Sequence, residues 1–97
     1  MKSVVLLREA QSDIRRAANY YEQSAPGLGR EFIAEVKWTL ERLGAYPEIG
    51  VLTRYSARKF PMRRFPYSII YRVQIDYVLA LAVTHQKRHP DFWLKRE

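Results

Sequence analysis

Hydrophobic and polar positions follow two different periods along the chain, and the change of period divides it into predicted elements. The run from Lys2 to Leu7 has the length and β-branched content of a strand. From Glu9 onward the apolar residues follow a helical spacing instead and form one stripe: Ala10, Ile14, Ala17, Ala18 and Tyr21. The intervening residues are polar, so we expect the first helix to expose them, Asp13 included.

A second helix is predicted after the turn residues 24–29. Its apolar stripe extends towards Tyr46 and Pro47 and consists of Phe32, Ile33, Val36, Leu40 and Leu43. Its solvent-facing side is expected to carry Glu31, Glu35, Lys37, Glu41 and Arg42. Because the connection is short, the two helices should pack as an antiparallel hairpin.

The C-terminal half has the shorter period of strands. Residues 48–56 have no clear period and predict a loop, whereas residues 58–64 alternate. Pro61 restricts that segment to an edge strand or a bulged one. Residues 67–74 and 77–84 predict two further strands joined as a hairpin. The basic and aromatic tail, residues 85–97, is expected to end in a helical turn.

These elements predict an α+β domain, a single one over residues 1–97, in the order β-α-α-β-β-β. The simplest assembly is a small, mainly antiparallel sheet with the N-terminal helical hairpin packed on one face. The other face is then left exposed or shallowly concave, with Lys59, Arg63 and Arg72 projecting from it.

The charge of the chain is unevenly distributed. Residues 1–49 carry seven basic and seven acidic groups, whereas residues 50–97 carry ten basic and three acidic groups. The formal net charge of +7 therefore belongs to the C-terminal half. This segregation favours an anionic partner, either nucleic acid or an acidic protein segment, and simple solubility is the alternative.

Composition excludes several kinds of site. The chain has no cysteine, which rules out disulfides, zinc-thiolate sites and a thiol nucleophile. The N-terminal apolar run is too short for a signal peptide, and nothing reaches the roughly 20 residues that span a bilayer, so we expect a cytoplasmic protein without membrane contact.

No metal or cofactor is predicted. His85 and His89 are four residues apart and would share a helix face, but no acidic residue joins them. The pair Gly27 and Gly29 lies between two helices and suits a turn rather than a phosphate loop.

A metal-free ribonuclease is one function that the basic and aromatic residues permit. Such an enzyme needs a base for a 2′-hydroxyl, a cation near the phosphate and an acid for the leaving oxygen. The chemically suitable residues are Lys59, Arg63, Tyr71, His85 and Arg88. Each of them, taken singly, is more commonly an ordinary surface or core residue, so this pattern alone does not select the function.

A series of short motifs spans almost the whole chain. They are Ala10-x-x-Asp13-Ile14, Ala18-x-Tyr20-Tyr21-Glu22, Gly27-Leu28-Gly29-x-x-Phe32, Pro47-x-x-Gly50, Arg58-Lys59-Phe60, Phe65-Pro66-Tyr67-x-Ile69-x-Tyr71-Arg72 and His85-x-x-Arg88-x-Pro90-x-x-Trp93. In their order and spacing the chain resembles the RelE/ParE superfamily of bacterial toxins from type II toxin–antitoxin modules. Within that superfamily it looks most like the ParE branch.

The two branches imply different functions, since RelE-type toxins cleave messenger RNA on the ribosome and ParE toxins poison DNA gyrase. The nuclease branch carries a Lys-x-Lys pair, of which Lys59 matches the first lysine and Pro61 replaces the second. Its strand arginine falls on Ser68, and its tail arginine and tyrosine fall near Gln86 and Phe92. Loss of one such transition-state group typically costs about 10²–10³ in rate, so efficient RNA cleavage is not expected.

The resemblance therefore implies a protein-binding toxin, without cofactors, that inhibits DNA gyrase and is neutralised by an acidic, partly disordered antitoxin. The partner contacts are expected from Arg63, Arg64, Arg72, Arg88 and Trp93. The ordinary alternatives are solvated charge for the arginines and a tail packed on the core for Trp93, and for Trp93 we favour the packed tail.

Two other functions stay open. One is a ribosome-dependent messenger-RNA interferase, a metal-independent endoribonuclease that would use Lys59, Arg63, His85 and Arg88. The other is a non-toxic relic that only binds its antitoxin.

Overall fold

Five strands form one sheet, and two helices cover one of its faces. The computed structural model describes residues 1–96, and its elements are β1 (Ser3–Leu6), α1 (Arg8–Ser24), α2 (Leu28–Ala45), β2 (Val51–Leu52), β3 (Arg58–Pro61), β4 (Tyr67–Val73) and β5 (Tyr77–His85). The strand order is β1-β5-β4-β3-β2, with β1 parallel to β5 and every other pair antiparallel. The α+β class and the helical hairpin on one face are confirmed, and β2 is an addition within the predicted loop.

A carboxylate from α1, rather than a conventional N-cap side chain, accepts hydrogen bonds from the backbone at the start of α2. Gly27 takes the left-handed backbone conformation, with φ of 86°, and no side chain of its own caps α2. Glu22, from the last turn of α1, accepts hydrogen bonds from the backbone N–H of Gly27 (2.9 Å) and of Gly29 (3.0 Å). These two bonds lower the pKa of Glu22 and satisfy amides that a helix start leaves without partners.

The main core lies between the hairpin and the sheet. Its aromatic centre joins Tyr21, Phe32, Phe65 and Tyr67, whose ring centroids are 4.9–6.2 Å apart. Aliphatic residues from both helices and the central strands complete it: Ala17, Val36, Leu43, Ile69, Val78 and Val83. Edge and tilted ring contacts of this kind stabilise a core beyond the area they bury.

The opposite face of the sheet is covered over part of its area, contrary to the open face that the sequence predicts. The tail folds back and ends in a 3-10 turn, Phe92–Lys95, which confirms the expected helical turn. Trp93 is 2 % exposed and packs in a second apolar cluster with Ile70, Leu79 and Leu81. The packed-tail interpretation of Trp93 is therefore confirmed, and only part of this face remains open.

Asp13, predicted to be exposed, is buried, because it accepts a hydrogen bond from a backbone amide at the edge of the sheet. Beyond the last pair of β1 and β5, Leu6 with Ala80, the amide of Val83 donates to Asp13 Oδ2 (3.0 Å). Arg96 donates to both Asp13 oxygens (2.6 and 3.1 Å) and to the carbonyl of Leu81 (2.9 Å), the residue bypassed at the β4–β5 bulge. One ion pair thus satisfies the free edge and the bulge together.

Glu35, also predicted to be exposed, is the second buried carboxylate. It accepts hydrogen bonds from the backbone N–H of Arg63 (3.0 Å) and from the Arg63 Nε (3.2 Å). The loop after β3 thereby gains an acceptor that no strand supplies, which explains why a helix of otherwise regular pattern buries a charge.

Candidate functional site

Four of the predicted site residues, Lys59, His85, Arg88 and Trp93, line one cleft on the tail-covered face of the sheet. We call it the tail cleft. It is a cavity of about 50 Å³ whose polar lining is Thr53, Lys59, Thr84, His85, Arg88 and His89, with Ile70, Phe92 and Trp93 among its walls. Strand β3 contributes Lys59, the end of β5 contributes His85, and the following turn contributes Arg88.

The lining of the tail cleft is rich in hydrogen-bond donors. The Arg88 guanidinium lies 3.9 Å from the centre of the Phe92 ring, which holds it beside the cavity. The Nδ1 atoms of His85 and His89 accept hydrogen bonds from the backbone N–H of Lys87 (3.0 Å) and Asp91 (3.1 Å). In the neutral imidazoles the proton therefore lies on Nε2. His85 ends β5 and its ring packs against Tyr67 on the helix side of the sheet, with the ring centroids 5.2 Å apart, whereas His89 lies in the tail. The two histidines therefore do not share a helix face, contrary to the prediction.

Arg63 lies away from the other three residues of the predicted catalytic set. Strand β3 ends at Pro61, so the alternation that would place Arg63 beside Lys59 does not continue. Its guanidinium instead pairs with Glu35 on α2 and stacks on the Trp38 ring, 3.4 Å from the ring centre. The prediction that Arg63 projects from the same face as Lys59 is wrong.

Arg64 and Arg72 occupy two different surfaces. Arg64 forms an ion pair with Glu31 (2.6 Å), and both side chains are about half exposed. Arg72 pairs in register with Leu79 on the tail-covered face, as expected, and its Nε donates to the carbonyl of Tyr55 (3.0 Å). Only Arg72 and the tail-cleft residue Lys59 therefore fit the predicted basic sheet face.

Tyr71, considered above as an acid, is a structural residue. Its side chain is fully buried, and its hydroxyl accepts from the Gly50 N–H (2.9 Å) and donates to the Pro47 carbonyl (2.8 Å). Burial raises the pKa of Tyr71. A Cβ on Gly50 would lie 2.6 Å from this hydroxyl, so the close approach requires glycine. The phenol anchors the loop before β2 and does not reach a substrate.

The structure also shows a surface that the sequence reasoning missed. We call it the α2 ridge, the row formed by Arg63, Trp38, Arg42 and Tyr46. The Arg42 guanidinium lies between Trp38 (5.4 Å) and Tyr46 (5.2 Å), and Arg63 covers Trp38 from the other end. The signal was the spacing of Trp38, Arg42 and Tyr46 at i, i+4 and i+8, one line along a helix.

A groove of about 590 Å³ adjoins the α2 ridge and shares Arg42 and Tyr46 with it. Pro47, Ile49 and Val73 give it an apolar surface. The ridge combines exposed Arg63 and Tyr46 with half-buried Trp38 and Arg42. Arginine, tryptophan and tyrosine beside an apolar groove is the composition that protein interfaces favour.

The helical hairpin, the five-stranded sheet and these basic, aromatic surfaces define a small toxin-like domain, and comparison with known proteins identifies its family. A family model described as "ParE toxin of type II toxin-antitoxin system, parDE" matches residues 4–90. The chain belongs to the ParE toxin family of type II toxin–antitoxin systems.

A solved structure described as "Chromosomal ParDE TA system from P. aeruginosa" has the same fold. Its chain is 18 % identical, with a TM-score of 0.78, and the match covers 88 % of this chain and 96 % of that one. A search of curated proteins gave no significant match. Between residues 1 and 96, no helix has the length and apolar character needed to cross a membrane.

Proposed function

We propose that this ParE-family toxin inhibits DNA gyrase by binding it, without catalysis, and is neutralised by an acidic antitoxin. The observation that carries the non-catalytic reading is the separation of the residues that a ribonuclease would need. Arg63 is held by Glu35 on the helix side of the sheet, whereas Lys59 and Arg88 line the tail cleft on the other side. Tyr71 is buried and engaged at both ends of its hydroxyl.

Geometry matters more here than the presence of suitable residue types. Acid–base catalysis requires groups within hydrogen-bond reach of the proton that moves, about 2.6–3.2 Å. Pro61 and Ser68, which replace two cations of the nuclease pattern, line an open depression next to Lys59 and supply neither a base nor a positive charge. These features support a binding surface rather than a nuclease centre.

The α2 ridge and its neighbour Arg64 are the surface that we assign to the antitoxin. Arg64, Arg63 and Arg42 follow α2 in that order, through contacts at Glu31, Glu35 and Trp38. Carboxylates of an acidic segment would meet this row of arginines, while its apolar side chains would enter the adjoining groove.

The gyrase assignment is tested with purified toxin. We expect it to inhibit DNA supercoiling by gyrase or to stabilise gyrase-cleaved DNA, and no effect at toxin excess would exclude this target. In cells that express the toxin alone, pulse labelling should show an early fall in DNA synthesis. An early fall in translation, with cuts placed by codon in primer extension, would instead establish the messenger-RNA interferase, and normal growth would establish the relic.

The antitoxin surface is tested by charge removal with matched controls. Arg63→Gln and Arg64→Gln should lower the association rate with the cognate antitoxin and weaken its salt dependence. Arg8→Gln and Arg15→Gln remove the same charge from exposed positions on α1 and should leave both quantities unchanged. Equal effects of all four substitutions would mean that only net charge matters.

A further inference from the structure

We infer that the tail cleft is a binding site for a phosphate group, a site separate from the α2 ridge and independent of the gyrase proposal. The cleft brings the Lys59 ammonium, the Arg88 guanidinium and the His89 imidazole to one cavity of about 50 Å³. No aspartate or glutamate lines it within residues 1–96. Like charges gathered without a counter-charge are unfavourable unless an anion binds between them.

The two cations of the cleft form no ion pair with an acidic side chain of the described residues. Arg54, Arg64 and Arg96 each form an ion pair with a carboxylate. Within the described part of the chain, neither Lys59 nor Arg88 does. The carboxylate of Asp91, close in sequence to Arg88, is engaged by Arg54 at 3.1 Å.

The donors of the cleft are held in place before any ligand arrives. Lys59 lies within a strand paired on both sides, with Val51 of β2 and Ile70 of β4. Arg88 is stacked on Phe92, and the backbone N–H of Asp91 donates to Nδ1 of His89, which leaves Nε2 of the neutral His89 ring as the donor. Such preorganisation lowers the entropy that binding would otherwise cost.

The size of the cleft suits an oxyanion head group. A water molecule needs roughly 10–15 Å³ of cavity, so about 50 Å³ holds a group of a few heavy atoms and excludes a nucleobase. Lys59 also lines an open depression of about 410 Å³ with Val51, Pro61, Ser68 and Gln86. The organic remainder of a phosphate ester can occupy this depression while its phosphate contacts Lys59.

Phosphate fits this lining better than a carboxylate does. A phosphate monoester carries a charge of about −1.5 to −2 and three acceptor oxygens, which can engage several donors from different directions. A side-chain carboxylate carries one charge on a planar pair of oxygens, a geometry matched by a single arginine fork. The ligand class is therefore a phosphate ester, either a free monoester or the diester backbone of a nucleic acid.

The test is an NMR titration of the isotope-labelled protein with inorganic phosphate at constant ionic strength. We expect saturable shifts of the amides of residues 84–89 and of the His89 ring protons. Lys59→Gln and Arg88→Gln should each weaken binding about tenfold or more. Lys37→Gln and Arg30→Gln, which remove the same charges from exposed positions on α2, should leave it unchanged. Lys59 and Arg88 are themselves exposed, and unchanged spectra elsewhere will verify the fold of their variants.

Two results would overturn the inference. One is a shift that does not saturate or that all four variants weaken equally, which would mean unspecific attraction to a basic protein. The other is stronger binding at the cleft by a glutamate-rich peptide than by phosphate, which would assign the cleft to an acidic protein segment.

The source of the phosphate is then distinguished with a nucleoside monophosphate and a single-stranded oligonucleotide without terminal phosphates. Tight binding of the monophosphate alone identifies a free monoester. Binding of the oligonucleotide identifies a backbone diester if the slope of the logarithm of the binding constant against the logarithm of the salt concentration falls in magnitude by about one in Lys59→Gln. Either result supports the phosphate site, and failure of both esters together with inorganic phosphate overturns it.

Discussion

The two buried carboxylates, Asp13 and Glu35, have the same chemistry and different surroundings. Each is almost fully buried and each accepts one backbone amide and one arginine from far along the chain. The side chain of Arg96, the partner of Asp13, is 13 % exposed, whereas that of Arg63, the partner of Glu35, is 54 % exposed. The Asp13–Arg96 pair is therefore enclosed in the structure, whereas the Glu35–Arg63 pair fixes a loop and leaves its arginine at the surface.

The largest effect should come from removing the more enclosed carboxylate. Asp13→Ala would leave Arg96 buried without a counter-charge and the Val83 amide without an acceptor. Loss of one partner of a buried pair typically costs about 3–5 kcal/mol, and we expect that reduction in the free energy of unfolding. Urea unfolding followed by circular dichroism measures it.

The matched control for Asp13 is Asp91→Ala. The pair of Asp91 with Arg54 lies at the surface, with side chains 31 % and 61 % exposed, so its loss should cost less than about 1 kcal/mol. Similar losses in the two variants would show that burial does not distinguish these pairs.

Glu35→Ala should have the intermediate effect. Arg63 can turn to water when its partner is removed, so the main cost is the unsatisfied amide of Arg63, about 1–3 kcal/mol. A double-mutant cycle with Arg63→Gln isolates the side-chain part from the part due to the amide. A cost equal to that of Asp13→Ala would contradict the distinction between the two sites.

Arg16→Gln sharpens the comparison within one site. Arg16 contacts the same carboxylate as Arg96, at 2.7 Å from Asp13 Oδ1, but its side chain is 64 % exposed. We expect a loss of less than about 1 kcal/mol in the free energy of unfolding, similar to that of Arg64→Gln at the exposed pair with Glu31. A larger loss would mean that Asp13 depends on its exposed partner.

These contrasts explain which parts of the fold the sequence could predict. The helices and the strands β3, β4 and β5 have clear periods, because each buries one face or is buried on both. Asp13 and Glu35 occupy polar positions of those same periods, and their partners lie 70, 83 and 28 residues away. A local pattern contains no information about such partners. Strand β2 has two residues and is too short for any period.

The candidate sites divide in the same way. Residue chemistry singled out Lys59 and Arg88, and the fold brings them together because the tail after β5 packs back on the face of the sheet from which Lys59 of β3 projects. Arg63 was misplaced because Pro61 ends β3 and the chain turns before it. The α2 ridge depends on an arginine from outside the helix, so its helical spacing alone did not predict a surface.

Glu22 is a third carboxylate with structural contacts, exposed to solvent, and it should give the smallest effect. Its partners, the amides of Gly27 and Gly29, hold its pKa below the ordinary value of 4.5. The stabilisation is therefore present above pH 4.5 and is lost as the pH falls through the lower folded-state pKa. As the pH falls through that window, the thermal unfolding temperature of the wild type should decrease more steeply than that of Glu22→Gln. Glu41→Gln, which changes an exposed position of α2, should show the same pH dependence as the wild type. If the unfolding temperatures of all three proteins change in parallel with pH, a charged acceptor for the Gly27 and Gly29 amides stabilises the fold no more than a neutral one.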